Sequence, residues 1–107
     1  MYIMKDYCVQ KYSVEALDRV QDRLTSLIDS EKRAKISLNH YNERVEECEK
    51  MLEANEGLRN VSEEVYLVHK KMHEDDMSHY KKFANRMEAE IEEIENEIER
   101  LRKKYCL

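Results

Sequence analysis

The side chains best placed to do chemistry lie in one short polar stretch, from His69 to His79. On a helix His69, His73 and Asp76 stand at i, i+4 and i+7, so one face carries two imidazoles and a carboxylate. Histidines one turn apart are spaced as divalent-metal ligands, and clustered imidazoles titrate near neutral pH. Metalloprotease chemistry would need a glutamate directly after the first histidine, where this chain has Lys70. The plainer reading is a solvated polar stretch. No metal is assigned, and His69, His73 and Asp76 are the set to check. No catalytic or cofactor-binding machinery is visible elsewhere, so no enzyme activity, cofactor or small-molecule substrate is expected.

The other chemistry on offer is charge. Lys32, Arg33 and Lys35 form one cationic triad and Lys81, Lys82 and Arg86 a second. Brought to one level they would attract an anionic partner, at about 1 kcal/mol per basic residue near anionic lipid. Asp29, Glu31, Glu88 and Glu90 stand close enough along the helices to neutralise them instead. Arg100, Arg102, Lys103 and Lys104 gather near the C-terminus, where cations offset a helix macrodipole. The net charge of −5 argues against nucleic acid as the partner.

Of the three cysteines, Cys48 falls at an apolar position, while Cys8 and Cys106 would lie at the same end of a folded hairpin. Three is too few for a disulfide framework, so reduced thiols and an intracellular, cytoplasmic setting are expected. No apolar run is long enough for a transmembrane helix or a signal-peptide core, and the membrane role considered is peripheral attachment.

Such groups need elements to hold them, and the chain is patterned for long helices. Charged residues make up 40% of it, with one Gly and no Pro, and no strand or hairpin signal interrupts. Leu17, Val20, Leu24, Leu27, Glu31, Ala34, Leu38, Tyr41, Val45, Cys48 and Leu52 recur at alternating three- and four-residue steps. So do Tyr80, Ala84, Met87, Ile91, Ile94, Ile98, Leu101 and Tyr105. That period turns one apolar stripe toward a partner helix, as in a coiled coil. Val61, Val65, Val68 and Met72 open the second arm at the same spacing, but their phase does not meet that of Tyr80. A stutter, with a bend or change of partner, is expected near residues 73–79.

The fold expected is all-α: a single domain built as a long antiparallel helical hairpin. Arm one spans about 6–55, with Ser13 as an alternative N-cap; the turn spans 56–60 and arm two about 61–106. Gly57 suits a left-handed residue ending arm one, and Asn60 suits the N-cap of arm two with Glu63 as its capping-box partner. Folding at Gly57 sets Leu24 against Ile91, Val20 against Ile94 and Leu17 against Ile98. It also brings the two cationic triads level.

Two helices bury only a narrow stripe, and Ile28, Ile36, Met51, Tyr66, Leu67, Met77 and Phe83 add apolar surface beyond it. The economical answer is a homodimer forming a four-helix assembly. The seam residues Leu17, Val20, Leu24, Leu27, Leu38, Val45, Met87, Ile91, Ile94, Ile98 and Leu101 would be its core. Glu88, Glu90, Glu95 and Glu97 flank the second seam and would repel in a parallel self-pair, whereas Arg19 and Arg23 of arm one would face them favourably.

Asp6-Tyr7, Ala16-Leu17, Arg23, Leu27-Ile28-Asp29, Glu31 and Leu38 resemble the BAR-type helical region of sorting nexins at the start of its second long helix. Phe83 and the run to Lys104 resemble the following helix more loosely. The resemblance implies a dimeric, curvature-sensing peripheral membrane module. That family has three long helices and a separate phosphoinositide-binding domain, and its membrane face is basic where Glu88–Glu99 is acidic.

Two functions follow. The first is a non-enzymatic coiled-coil dimerisation and scaffold module presenting surfaces to itself and to other helical proteins. The alternative is a BAR-like membrane module using the Lys32–Lys35 and Lys81–Arg86 cations.

Overall fold

A computed structural model describes residues 12–107 of the chain. It contains two long helices, α1 (Val14–Asn55) and α2 (Glu63–Tyr105), joined by a 3-10 turn at Glu56–Leu58. They fold into an antiparallel helical hairpin, and there is no strand among the described residues. No described helix is long and apolar enough to cross a membrane.

Helix α1 starts at Val14, later than the expected start near Asp6, and Ser13 is its N-cap. The Ser13 hydroxyl accepts from the Ala16 N–H at 3.1 Å and its carbonyl from the Leu17 N–H at 3.0 Å, satisfying donors that the first turn leaves open. Residues 1–11, where the earlier start was placed, lie outside the described residues. From Leu17 the expected seam holds throughout. Leu17, Val20, Leu24, Leu27, Ala34 and Cys48 are buried, and Glu31, Leu38, Tyr41, Val45 and Leu52 are half-buried.

The fold-back works differently from the expectation. Gly57 has no positive φ; it sits inside the 3-10 turn, and an added Cβ would meet nothing within 4 Å. The chain leaves α1 with Asn55 still helical (φ −65°, ψ −24°) and tightens into the turn, so no left-handed residue is needed. Asn60 is not the cap of α2. Ser62 takes that place: its hydroxyl accepts from the Val65 N–H at 3.4 Å and its carbonyl from the Tyr66 N–H at 3.0 Å. Glu63 and Glu64 follow in the first turn, where negative charge suits the dipole.

Tyr66, read from sequence as spare apolar surface, is buried and ties the turn together. Its backbone carbonyl accepts from the Asn55 side-chain amide at 3.0 Å. Its hydroxyl donates to Glu56 at 2.9 Å and accepts from Arg59 at 2.8 Å, while the Arg59 guanidinium lies 4.9 Å from its ring centre.

The inward positions of α2 run without a slip: Tyr66, Lys70, His73, Met77, Tyr80, Ala84, Met87, Ile91, Ile94, Ile98, Leu101 and Tyr105 are all buried or half-buried. The expected stutter is absent. Val61, Val65, Val68 and Met72 belong to another face, and polar Lys70 and His73 occupy the seam in their place. The helix ends in a Schellman turn. Cys106 adopts φ 58°, and the Leu107 N–H bonds the Arg102 carbonyl at 2.9 Å.

The chain divides into two compact units, because contacts in a two-helix hairpin join only residues at the same level. One unit holds the chain up to Lys35 and from Ala89 onward; the other is Ile36–Glu88. In the first, Val20, Leu24 and Leu27 cluster with Ile98 and Leu101, and Ile28, Ile94, Tyr105 and Leu107 pack on its edge. Leu24 is fully buried, which contributes about 1.5–3 kcal/mol. Tyr12 closes on Tyr105, ring centres 4.7 Å apart. In the second unit Tyr41 stacks on Phe83 at 5.3 Å.

These contacts correct the pairing of Leu24 with Ile91, while Ile94 does pack on the cluster that holds Val20. Ile91 is buried but stands outside the cluster that holds Leu24. The fold-back is centred between Asn55 and Tyr66 rather than at Gly57. A midpoint displaced by about three residues displaces each partner by about six, well over one helical turn.

Candidate interaction surfaces

The arrangement of α2 leaves an apolar face uncovered at its start. Val65 is 42%, Val68 62% and Met72 47% exposed, at i, i+3 and i+7, which is the spacing of a coiled-coil seam. Val61, more exposed still, stands just ahead of them in the turn. Because Tyr66, Lys70, His73 and Met77 face inward, these valines point away from α1. The sequence displays their heptad spacing openly; what it hides is that this stripe and the inward stripe of α2 are two faces, not one.

The histidines separate. His73 is half-buried in the seam and His69 exposed, their rings edge to face at 6.2 Å. Asp76 is exposed and its charge acts on Cys48, and the His79 ring lies 6.0 Å from that of Phe83. Among the described residues no group of three or more His, Cys, Asp or Glu side chains is arranged to hold a metal. His69 and His73 line a shallow cleft with Met51, Ala54, Asn55 and Leu58. There the buried Oδ1 of Asn55 has no hydrogen-bond partner among the described residues.

The cationic triads fall in different compact units. Arg33 pairs with Asp29 and Lys35 with Glu31 at 3.8 Å, both one turn back on the same helix. Arg86 lies over the Phe83 ring at 5.7 Å. Lys32, Lys81 and Lys82 are exposed. Near the C-terminus Arg100 makes two bonds to Glu97, at 2.7 and 2.9 Å, and Lys103 pairs with Glu99 at 2.9 Å. The Arg100 and Lys103 hydrogen bonds hold the Glu97 and Glu99 carboxyls below their usual range, Arg23 adding to the effect at Glu97.

Cys48 is the buried, free cysteine of the seam, and burial, then the Asp76 charge, pushes its thiol up. Cys106 is disulfide-bonded, against the expectation of reduced thiols; Cys8 lies outside the described residues.

Compared with family models, curated proteins and solved structures, the chain matches none.

Proposed function

We propose that this chain is a non-enzymatic scaffold module: a helical hairpin that associates with itself and presents helix faces to protein partners. The observation that carries the reading is the exposed row Val65, Val68 and Met72. Singly exposed apolar residues are ordinary, but a row at seam spacing on a helix whose other face is already packed suits a further helix. A two-helix hairpin is also a thin source of stability, and burying such a row against a neighbour adds to it.

Light scattering on the full chain over a wide concentration range tests this. Mass rising above the 13.0 kDa of one chain supports the reading, and a constant 13.0 kDa removes self-association from it. The BAR-like membrane reading would place the function in the cations. Asp29 and Glu31 engage Arg33 and Lys35, which leaves it mainly Lys32, Lys81 and Lys82. Co-sedimentation with anionic vesicles at low salt is its test, and a chain left in the supernatant eliminates it.

The scaffold reading places the module inside the cell. The Cys106 disulfide weighs against that placement, since such bonds persist chiefly in oxidising compartments.

A further inference from the structure

We propose that the Val65–Val68–Met72 face of α2 takes the same face of a second copy, antiparallel, with Val65 of each chain packed on the partner's Val68. The proposal rests on the self-association reading above and names its surface and direction. Three features of the face select this occupant.

The first is the spacing. Val65, Val68 and Met72 alternate three and four residues apart, and Val61 extends the same steps into the turn. Such a stripe is matched by another of the same period, and a second copy supplies one.

The second is charge. Laid antiparallel with Val65 on the partner's Val68, the stripe brings Glu64 beside the partner's Lys71, and Lys71 beside the partner's Glu64. These are flanking positions of the seam, where opposite charges set orientation. Both residues are exposed, and neither has an ion-pair partner among the described residues. Their neighbours are already engaged: Lys70 pairs with Glu74 at 3.9 Å on the same helix.

The third is the residue that ends the stripe. Asp75 occupies its next position. A parallel pair would let Lys71 reach the partner's Asp76, but it would press the two Asp75 carboxylates together in one layer of the seam. The antiparallel pair sets them at opposite ends, and Met72 meets the partner's Val61 instead. Three or four apolar side chains per copy fall short of a standard stable interface, so the dimer is weak and concentration-dependent.

Sedimentation equilibrium on the full chain and four variants tests the proposal, with far-UV circular dichroism as the folding control. Val68 is exposed, so Val68→Asp keeps the helix content and abolishes association. Glu64→Lys and Lys71→Glu each turn two attractive pairs repulsive and weaken association by roughly tenfold. The double variant Glu64→Lys/Lys71→Glu restores it, because the antiparallel pairs are re-formed with signs exchanged. In a parallel dimer the double variant would set the new carboxylate at position 71 beside the partner's Asp76 and stay weak. A wild-type chain that remains monomeric overturns both this proposal and self-association. Association untouched by Val68→Asp overturns the choice of face alone, and a double variant as weak as the singles overturns the direction.

Discussion

At the scale of single residues, side chains that look alike in composition do opposite jobs. Tyr66 is buried with its hydroxyl between Glu56 and Arg59, whereas neighbouring Val65 and Leu67 are exposed. Tyr66→Phe removes both hydroxyl bonds but keeps the ring, and its former partners regain water; a loss of about 0.5–1.5 kcal/mol is expected in urea unfolding. Gly57 has no positive φ and open space beside its Cα, so Gly57→Ala should raise stability by about 0.4–1 kcal/mol through the unfolded chain. A lower melting temperature for that variant would restore the hinge role that its being the lone glycine suggests. Cys48 has its thiol raised by burial, and its neutral form suits the fold. In the folded chain it should resist iodoacetamide at neutral pH and react on unfolding. Cys106 should resist until a reductant is added; alkylation of Cys106 in an untreated sample would contradict the bond.

At the scale of elements, α1 was readable because its seam is apolar almost throughout from Leu17 to Leu52. The second half of α2 was readable for the same reason. The first half of α2 was not, since Lys70 and His73 occupy inward positions while Val65, Val68 and Met72 face out. Periodicity reports that a stripe exists, not which of two stripes the neighbouring helix takes. A long side chain such as Lys70 can cover apolar surface with its stem, so a polar residue in the seam is no sign of a phase slip. The pairing of Leu24 with Ile91 failed for a geometric reason: it hangs on the fold-back point, which the hydrogen bond from Asn55 to Tyr66, not glycine, places. Leu24→Ala, at the centre of the Ile98–Leu101 cluster, should cost about 2–5 kcal/mol in denaturant unfolding. Acid acts on α2 through Glu97 and Glu99. Their folded carboxyls titrate below the ordinary 4.5, so their contribution is present above that value and lost as pH falls through the lower folded values. Glu97→Gln should therefore blunt the fall in melting temperature on acidification, and an unchanged pH profile would contradict the Arg100 pairing.

At the scale of the whole molecule, helix class and hairpin topology were legible, while the candidate site was legible only as a pattern. The heptad of Val65, Val68 and Met72 is plain in the chain, yet its exposure depends on Tyr66 turning inward. The proposed function then rests on one division of labour in α2, with one face packed in its own hairpin and another exposed. Hydrogen exchange followed by mass spectrometry, at dilute and concentrated protein, reads that division directly. Peptides covering Glu63–Met77 should slow as concentration rises while those covering Ile91–Leu101 stay unchanged. Exchange that is independent of concentration along the whole chain, or slowing confined to another segment, would contradict it.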